Sequence, residues 1–388
     1  MVKTPKVILL VETSNAYGRG LLLGISQYSH LYGPWRFFRS PPFYSEPATR
    51  RKIFSRLKDW GADGVIIREP KRDDEIISMG LPTIVSPSIL EHNPDLPAIV
   101  TDCATTGRIA AEYLLNRGFK QFAYCGFDDM LWSRERGESF RKRIAEAGFE
   151  THFYKQPRAR ARCSWRNEQA YMADWLMSLP KPIGLMSCND DRGQNVAEIC
   201  KIVGLYVPDE IAIVGVENDE VVCGLSDPPL SSIPLNAERA GYEAAELLDR
   251  LMSGEKMAGQ RIIDHPTHVV TRQSTDILAI EDREVLEAVR FIRQHSKEPI
   301  QVTDVVLASS LSRRVLEQRF RRVLGRSVLS EIRRVRIELV AQMLVSTTMS
   351  IAQIALDLGY TGVDHIARYF KREKGMTPLA YRKKYGRK

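Results

Sequence analysis

Two stretches near the C-terminus place the same side-chain types at the same spacing. Residues 312–327 read Ser-Arg-Arg-Val-Leu-Glu-Gln-Arg-Phe-Arg-Arg-Val-Leu-Gly-Arg-Ser, and residues 362–377 read Gly-Val-Asp-His-Ile-Ala-Arg-Tyr-Phe-Lys-Arg-Glu-Lys-Gly-Met-Thr. Leu316 corresponds to Ile366, Phe320 to Phe370, Arg322 to Arg372 and Gly325 to Gly375. With the apolar pair of each copy turned inward, helical geometry turns Arg314, Glu317, Gln318 and Arg321 outward in the first copy. In the second it turns out Asp364, Ala367, Arg368 and Lys371. Arg and Gln can pair with base edges in a major groove, Arg with guanine and Gln with adenine. Basic residues at the helix ends, here Arg313 and Arg372, suit phosphates, which set affinity rather than sequence. Glu317 and Asp364 have a second reading as partners in salt bridges. The outward triplets Arg314, Gln318, Arg321 and Asp364, Arg368, Lys371 differ, so the two copies are expected to read different bases.

Each basic helix follows a short helix and a tight turn: Val302–Ser309 then Ser310–Leu311, and Ile351–Leu358 then Gly359–Thr361. This is helix-turn-helix order, in which the second helix enters the groove. The plainer alternative is a surface-basic helical bundle. Charge favours the nucleic-acid reading. Residues 281–388 hold 22 Lys and Arg against 12 Asp and Glu, whereas the rest of the chain holds 34 against 36. A near-neutral body with a basic C-terminal part is the electrostatic footprint of a polyanion binder.

The first 275 residues alternate short apolar runs with helical patterns. The runs include Val7–Val11, Gly64–Ile67, Thr83–Val85, Ile99–Thr101, Phe122–Gly126, Ile183–Ser187 and Ile211–Val216. They are continuous rather than alternating, as in strands buried on both faces of a parallel sheet. Helical patterns at Gly107–Arg117, Arg136–Ala147, Asn189–Val203 and Glu238–Met252 end near Gly118, Gly148, Gly204 and Gly254. The expected architecture is a doubly wound α/β body large enough for two lobes. A last strand is expected at Arg261–Thr271. After a break at 276–283 the pattern is helical, at about 282–296, 302–309, 312–324, 328–346, 350–358, 362–374 and 378–385.

Several functions find little support. At 388 residues with 44% hydrophobic content the chain should fold into two or three domains. No apolar run approaches the roughly 20 residues that span a bilayer, and Val7–Val11 reads as a buried strand rather than a signal peptide. Cys103, Cys125, Cys163, Cys188, Cys200 and Cys223 are scattered, without a Cys-x-x-Cys pair, and are expected to be reduced thiols of a cytoplasmic protein. The glycines at 18, 20 and 24 imitate a dinucleotide loop, but the last two are separated by three residues and no acid ends the following strand. No cofactor, metal or catalytic residue is therefore assigned, and the chain is not expected to be an enzyme.

Residues 284–382 resemble the arabinose-regulator (AraC/XylS) type of DNA-binding domain. The segment Gly359-Tyr360, Ile366-Ala367-Arg368-Tyr369-Phe370-Lys371-Arg372, Gly375-Met376-Thr377-Pro378 and Tyr381-Arg382 carries the match. The resemblance implies helix-turn-helix units at about 302–323 and 351–373, joined by a long helix at about 328–346. The body is similar to the sugar-binding core of lactose/galactose-type repressors and periplasmic sugar-binding proteins. The likeness rests on Gly61-Ala62-Asp63-Gly64-Val65-Ile66, Thr101-Asp102, Cys188-Asn189-Asp190 and Val207-Pro208-Asp209-Glu210-Ile211-Ala212-Ile213-Val214-Gly215. A sensor body before such a reader resembles the bacterial xylose-operon regulators, with matches at Asn15-Ala16-Tyr17, Trp132, Glu135-Arg136, Ala173-Asp174-Trp175-Leu176, Gly241-Tyr242-Glu243 and Arg272-Gln273-Ser274-Thr275. Asp191 and Gly18 depart from that family's pattern.

The resemblance implies residues 1–275 as a two-lobed periplasmic-binding-protein-like sugar sensor, 276–283 as linker and 284–382 as reader. A ligand would sit between the lobes at the carboxyl ends of the strands. Arg136, Asn189 and Asp190 suit paired hydrogen bonds to hydroxyls. Tyr17 and Trp132 suit an apolar plate against a sugar ring, and Asp102 and Asn218 sit where strands end. Asp190 and Asp102 also have plain capping roles open to them, and Trp132 a packing role. The expected partners are double-stranded DNA at promoter half-sites, a pentose such as D-xylose, a second copy of the chain and RNA polymerase. The expected output is activation of sugar catabolism genes, by a closure that alters dimer geometry on DNA. The alternatives are a different sugar or non-sugar ligand, and a ligand-independent DNA binder.

Overall fold

The computed structural model describes residues 4–39, 59–68, 78–86, 95–157, 165–277, 280, 282–360 and 362–386. Five strands of the N-terminal body come first in the chain: β1 (Lys6–Leu10), β2 (Arg36–Arg39), β3 (Gly64–Ile67), β4 (Thr83–Val85) and β5 (Ala98–Thr101). Five follow in a second sheet: β6 (Phe122–Cys125), β7 (Thr151–Phe153), β8 (Ile183–Ser187), β9 (Ile211–Glu217) and β10 (Ser231–Pro234). The last, β11 (Arg261–Asp264), returns to the first sheet, giving the orders β11-β5-β4-β3-β1-β2 and β10-β9-β8-β6-β7. Every described pairing within the two sheets is parallel. β3, β6 and β8 are buried along their whole length, which is why their sequences run apolar without alternation.

In the first lobe helix α1 (Ala16–Tyr32) lies against α7 (Ala237–Met252). Glycine permits the close approach. A Cβ on Gly24 would lie 1.8 Å from the Glu238 carbonyl oxygen, and one on Gly241 would lie 2.1 Å from that of Leu21. Two of the glycines that imitated a dinucleotide loop, Gly20 and Gly24, therefore serve helix packing, while Gly18 lies against the Glu12 carbonyl of the preceding loop. The second lobe carries α2 (Cys103–Leu115), α3 (Leu131–Glu146), α4 (Trp165–Ser178), α5 (Asp190–Ile202) and the short α6 (Glu220–Leu225). The predicted stops at Gly118, Gly148, Gly204 and Gly254 all have positive φ, the left-handed conformation that ends a helix.

The chain crosses between lobes three times, near Asp102, near Leu235–Asn236 and near His265–Pro266. The third crossing corrects one expectation: β11 ends at Asp264 rather than Thr271. Beyond it the chain leaves the sheet, making isolated antiparallel bridges from Pro266 to Leu235 and from Val270 to Ser232. β7 and β10 were not expected. β7 is short and only half-buried, and β10 opens with Ser231-Ser232, so neither carries an apolar run. The thiols of Cys103, Cys125, Cys188, Cys200 and Cys223 are free and buried; Cys163 lies outside the described residues, as do parts of the expected 276–283 break.

The C-terminal part contains α8 (Arg283–Gln294), α9 (Val302–Leu307), α10 (Arg313–Leu324), α11 (Val328–Ser346), α12 (Ile351–Asp357), α13 (Val363–Lys374) and α14 (Pro378–Tyr385). Gly325 and Gly375 close α10 and α13 with φ of 68° and 73°. Leu316 and Phe320 enter one core with α8 and the start of α11. Ile366 and Phe370 enter another with the second half of α11 and Tyr381. The long helix thus contributes to both cores.

Candidate sugar cleft and nucleic-acid interface

The ends of the strands bring charged groups from both lobes toward one cleft. From the first lobe, Tyr17 is buried, with its hydroxyl 3.4 Å from Ser86 Oγ and the Arg68 guanidinium 4.3 Å above its ring. From the second lobe, Arg136 is buried. It donates from Nη1 to the Cys188 carbonyl at 2.6 Å, and its guanidinium stands 4.9 Å over the Trp132 ring. Arg136 Nε has no hydrogen-bond partner, and neither has either carboxylate oxygen of the buried Asp264 at the end of β11. Desolvation pushes the Asp264 carboxyl up to about 7, a rise only partly offset by the approach of the Asn236 backbone and by Arg136 and Arg68. Glu217, at the end of β9, is raised by desolvation and steadied by Arg68 and Arg136. The backbone there is held in an unusual conformation, with positive φ at Glu217 (102°) and Asn218 (52°). Such conformations persist where surrounding structure imposes them.

The other expected cleft residues are largely occupied by the protein itself. Asn189 caps α5, its Oδ1 accepting from the Arg192 N–H at 3.0 Å. Asp190 is buried and links α5 to β10 and to the segment after β9, accepting from Ser232 Oγ at 2.5 Å and from the Asp219 N–H at 2.7 Å. Burial pushes its carboxyl up to about 8. Asn218 Oδ1 accepts from Arg272 at 2.8 Å. Asp102 caps α2 through the Thr105 N–H at 2.9 Å and faces His265 Nδ1 at 3.1 Å. Desolvation opposes its ionisation, but those hydrogen bonds outweigh it and hold the carboxyl at about 2.

Sequence reasoning passed over Arg68, Glu217, Asp264 and Arg19. Arg19, on α1, reaches across the cleft to Asp219 of the second lobe at 2.6 Å. A cavity of about 1280 Å³ runs along α3 and past the Asp102 crossing. Of the expected ligand residues only Asp102 lines it. The cleft is therefore better defined by its convergent polar atoms than by its void.

On the C-terminal face Arg313, Arg314, Gln318 and Arg321 of α10 are exposed, as are Asp364, Arg368, Lys371 and Arg372 of α13. Glu317 is half-buried, with Oε2 enclosed and unpartnered. Arg368 and Arg372 flank the Tyr369 ring at 5.2 and 5.3 Å, and Arg372 pairs with Glu373 at 3.1 Å. Both helices thus present cations to solvent from a well-packed core, the geometry of a groove reader.

The two parts are joined where the chain passes between the lobes. The α14 carbonyl of Tyr385 accepts from Asn236 Nδ2 at 3.1 Å, and Arg239 donates to the carbonyls of Lys383 and, at 2.7 Å, Lys384. The Tyr385 ring stands edge-on to His265, 5.7 Å between centroids. The last helix of the reader therefore touches two of the three crossings, and through His265 the third, at Asp102.

Comparison with known proteins agrees with this division. A periplasmic binding protein-like domain matches residues 92–275, and a helix-turn-helix domain matches residues 307–384. The xylose operon regulatory protein of Escherichia coli strain K12 is 31% identical, over 98% of this chain and 97% of that protein. The protein of the same name from Haemophilus influenzae is 29% identical over 97% and 98%. Among solved structures, the xylose-binding transcription activator XylR aligns over the whole of both chains, with a TM-score of 0.61 and 28% identity. The sensor part alone also shares its fold with the regulator CelR in complex with cellobiose, at 21% identity and a TM-score of 0.57. These relatives are regulators rather than enzymes, and this chain belongs to the family of xylose operon regulatory proteins, DNA-binding regulators of transcription.

Proposed function

We propose that residues 1–275 bind a neutral pentose, D-xylose or a close relative, between the two lobes, and that residues 284–382 carry the response to promoter DNA as an activator. The observation that carries this reading is the set of buried, unpartnered polar atoms facing one cleft: both Asp264 oxygens and Arg136 Nε. Buried polar groups are rarely left without partners. A polyol supplies donors for the carboxylate and acceptors for the guanidinium, with no net charge to clash with a site holding both signs. Tyr17 and Trp132 add ring faces for the sugar's C–H surface. The names of the full-length relatives point to xylose.

Binding would draw the lobes together, favouring one relation of the crossings over another. Because α14 rests on those crossings, the change reaches the reader directly. The reading includes action in the cytoplasm and a contact to RNA polymerase at the promoter. It also includes a homodimer on adjacent half-sites, for which exposed Leu23, Leu31 and Tyr32 of α1 offer an apolar strip. Residues Arg313, Arg314, Glu317, Gln318 and Arg321, with Asp364, Arg368, Lys371 and Arg372, form the DNA-contacting set.

The test is thermal unfolding of the purified chain against a panel of pentoses and hexoses, followed by DNA binding with and without the sugar that stabilises it. D-xylose should raise the melting temperature in the wild type and not in Arg136→Ala. Unchanged melting across the panel, with DNA affinity indifferent to sugar, would overturn the sugar reading and leave a regulator of a non-sugar ligand or a ligand-independent binder.

A further inference from the structure

A second cavity, about 370 Å³, lies between the sensor and the reader. Its wall brings together three guanidinium groups from three elements: Arg117 just beyond α2, Arg293 in α8 and Arg334 in α11. Lys374, from the end of α13, adds a fourth cation. Two of the guanidiniums are fixed. Arg117 donates from Nε to the Thr275 carbonyl at 2.8 Å and lies 3.8 Å over the Tyr113 ring. Arg334 is held by Glu331 through two hydrogen bonds, at 3.0 and 2.7 Å. Lys374 is paired with Glu338 at 2.6 Å. Arg293 differs: its guanidinium makes no hydrogen bond or ion pair among the described residues, although it lines the same space.

This arrangement is costly as it stands. Desolvation lowers the Arg293 pKa to about 9, and the nearby Arg117 and Arg334 add like-charge repulsion. Desolvation lowers Arg117 as well. Three acids, Glu112, Asp276 and Glu338, share the wall, but none pairs with Arg293: Glu338 holds Lys374 and Glu112 lies 3.5 Å from Arg143. A guanidinium left unpaired beside two others is suited to an anion, and planar guanidiniums suit phosphate oxygens best. The volume lies in the range of small-ligand pockets, so there is room for more than a bare phosphate.

We propose that this cavity is a second ligand site, distinct from the sugar cleft, that takes the phosphate group of a small phosphorylated metabolite between Arg117, Arg293 and Arg334. Such a ligand would touch the sensor through Arg117 and the reader through Arg293 and Arg334. It would fix their relation and so bias DNA binding independently of the sugar.

The full chain, without DNA and without sugar, is titrated with inorganic phosphate and with a pentose 5-phosphate at constant ionic strength, chloride serving as the control. Either phosphate should raise the melting temperature above the chloride control. The pentose phosphate should protect amides around residues 112–117 and 290–296 from hydrogen exchange. Arg293→Gln should weaken binding by about tenfold or more, the loss of a charged hydrogen-bonding partner. It should not lower the melting temperature of the unliganded chain, since it removes an unpaired cation; a merely structural arginine would lower it. Arg368→Ala should leave the phosphate response intact. The proposal is overturned if phosphate acts no differently from chloride, as it would were DNA the only phosphate source for these arginines. It also fails if protection is confined to α10 and α13, or if the response is lost in Arg368→Ala or kept in full in Arg293→Gln. Should Arg293→Gln fail to fold, the exchange map of the wild type still decides between these outcomes.

Discussion

Asp264 sits where a carboxylate is hard to keep charged, with two enclosed oxygens, neither in a well-formed hydrogen bond, and only the Asn236 backbone approaching them. Its pKa, raised from 3.8 to about 7, has a consequence for stability. Between those values the folded chain holds a proton that the unfolded chain has released, so stability falls as pH rises through that window. Asp264→Asn should therefore raise the melting temperature of the sugar-free protein near neutral pH and flatten its pH dependence below about 7. Asp190, raised to about 8 by the same cause, keeps a residual slope. The same variant should weaken sugar binding by about tenfold or more, because an amide accepts and donates where two hydroxyls require two acceptors. Melting curves from about pH 5 to pH 8, with sugar titrations at one pH, check both parts. An unchanged slope would mean that Asp264 is already ionised in the fold. Tyr17, Trp132 and Arg136 could be singled out from sequence because their types suit sugar chemistry and they stand in recognisable stretches. Arg68, Glu217 and Asp264 could not. Each is an isolated charge at the end of an apolar strand, and only the parallel packing of two sheets shows that three such ends meet.

At the scale of the element, the reader shows how far periodicity reaches. All seven helices expected after residue 281 are present, most with bounds within one or two residues of the pattern, because each has an apolar stripe on one side and a cap or glycine at its end. The strands at 151–153 and 231–234 were missed because hydrogen bonding to a neighbour, not composition, makes them strands. The repeat also sets a comparison inside the protein. Phe320 and Phe370 are both fully buried, each in its own core. Phe370→Ala should cost about 3–5 kcal/mol by the usual cavity argument. It should unfold the second unit, read as lost DNA binding with sugar-induced stabilisation of the sensor preserved. At the surface, Gln318→Ala and Arg368→Ala should each change base preference at a different position of the half-site, by about 1–3 kcal/mol. A selection of binding sites from random DNA compares the two motifs. Identical changes from both variants would mean that the helices read equivalent bases, against the difference between their outward triplets.

The whole molecule is a sensor and a reader that meet at the segments joining the two lobes. Many contacts could join two such parts without transmitting anything; a contact on a rigid lobe surface would carry the reader along unchanged. Here Asn236, Arg239 and His265 lie at or beside the segments where the chain passes between lobes, and all three meet α14. The segments that would flex on the proposed lobe closure therefore bear on the helix that packs, through Tyr381, against Phe370 of the recognition unit, 5.1 Å between ring centroids. Arg239 makes two hydrogen bonds to α14 carbonyls and one, with its Nε, to Glu243 at 2.8 Å. It reaches neither the sugar cleft nor the DNA face. Arg239→Ala should leave sugar affinity within about twofold of wild type, since it touches no ligand group. It should leave DNA affinity without sugar in the same range. What it should reduce is the factor by which sugar changes DNA affinity, a coupling free energy commonly of about 1–3 kcal/mol. By reciprocity, the factor by which DNA changes sugar affinity should shrink by the same amount. The measurement is a full cycle of four binding constants, for sugar with and without DNA and for DNA with and without sugar. A variant with both affinities intact and coupling reduced places the route through α14. A variant with coupling intact means that the signal passes through the relative placement of two subunits instead, and that the contacts at the crossings only hold the reader in place.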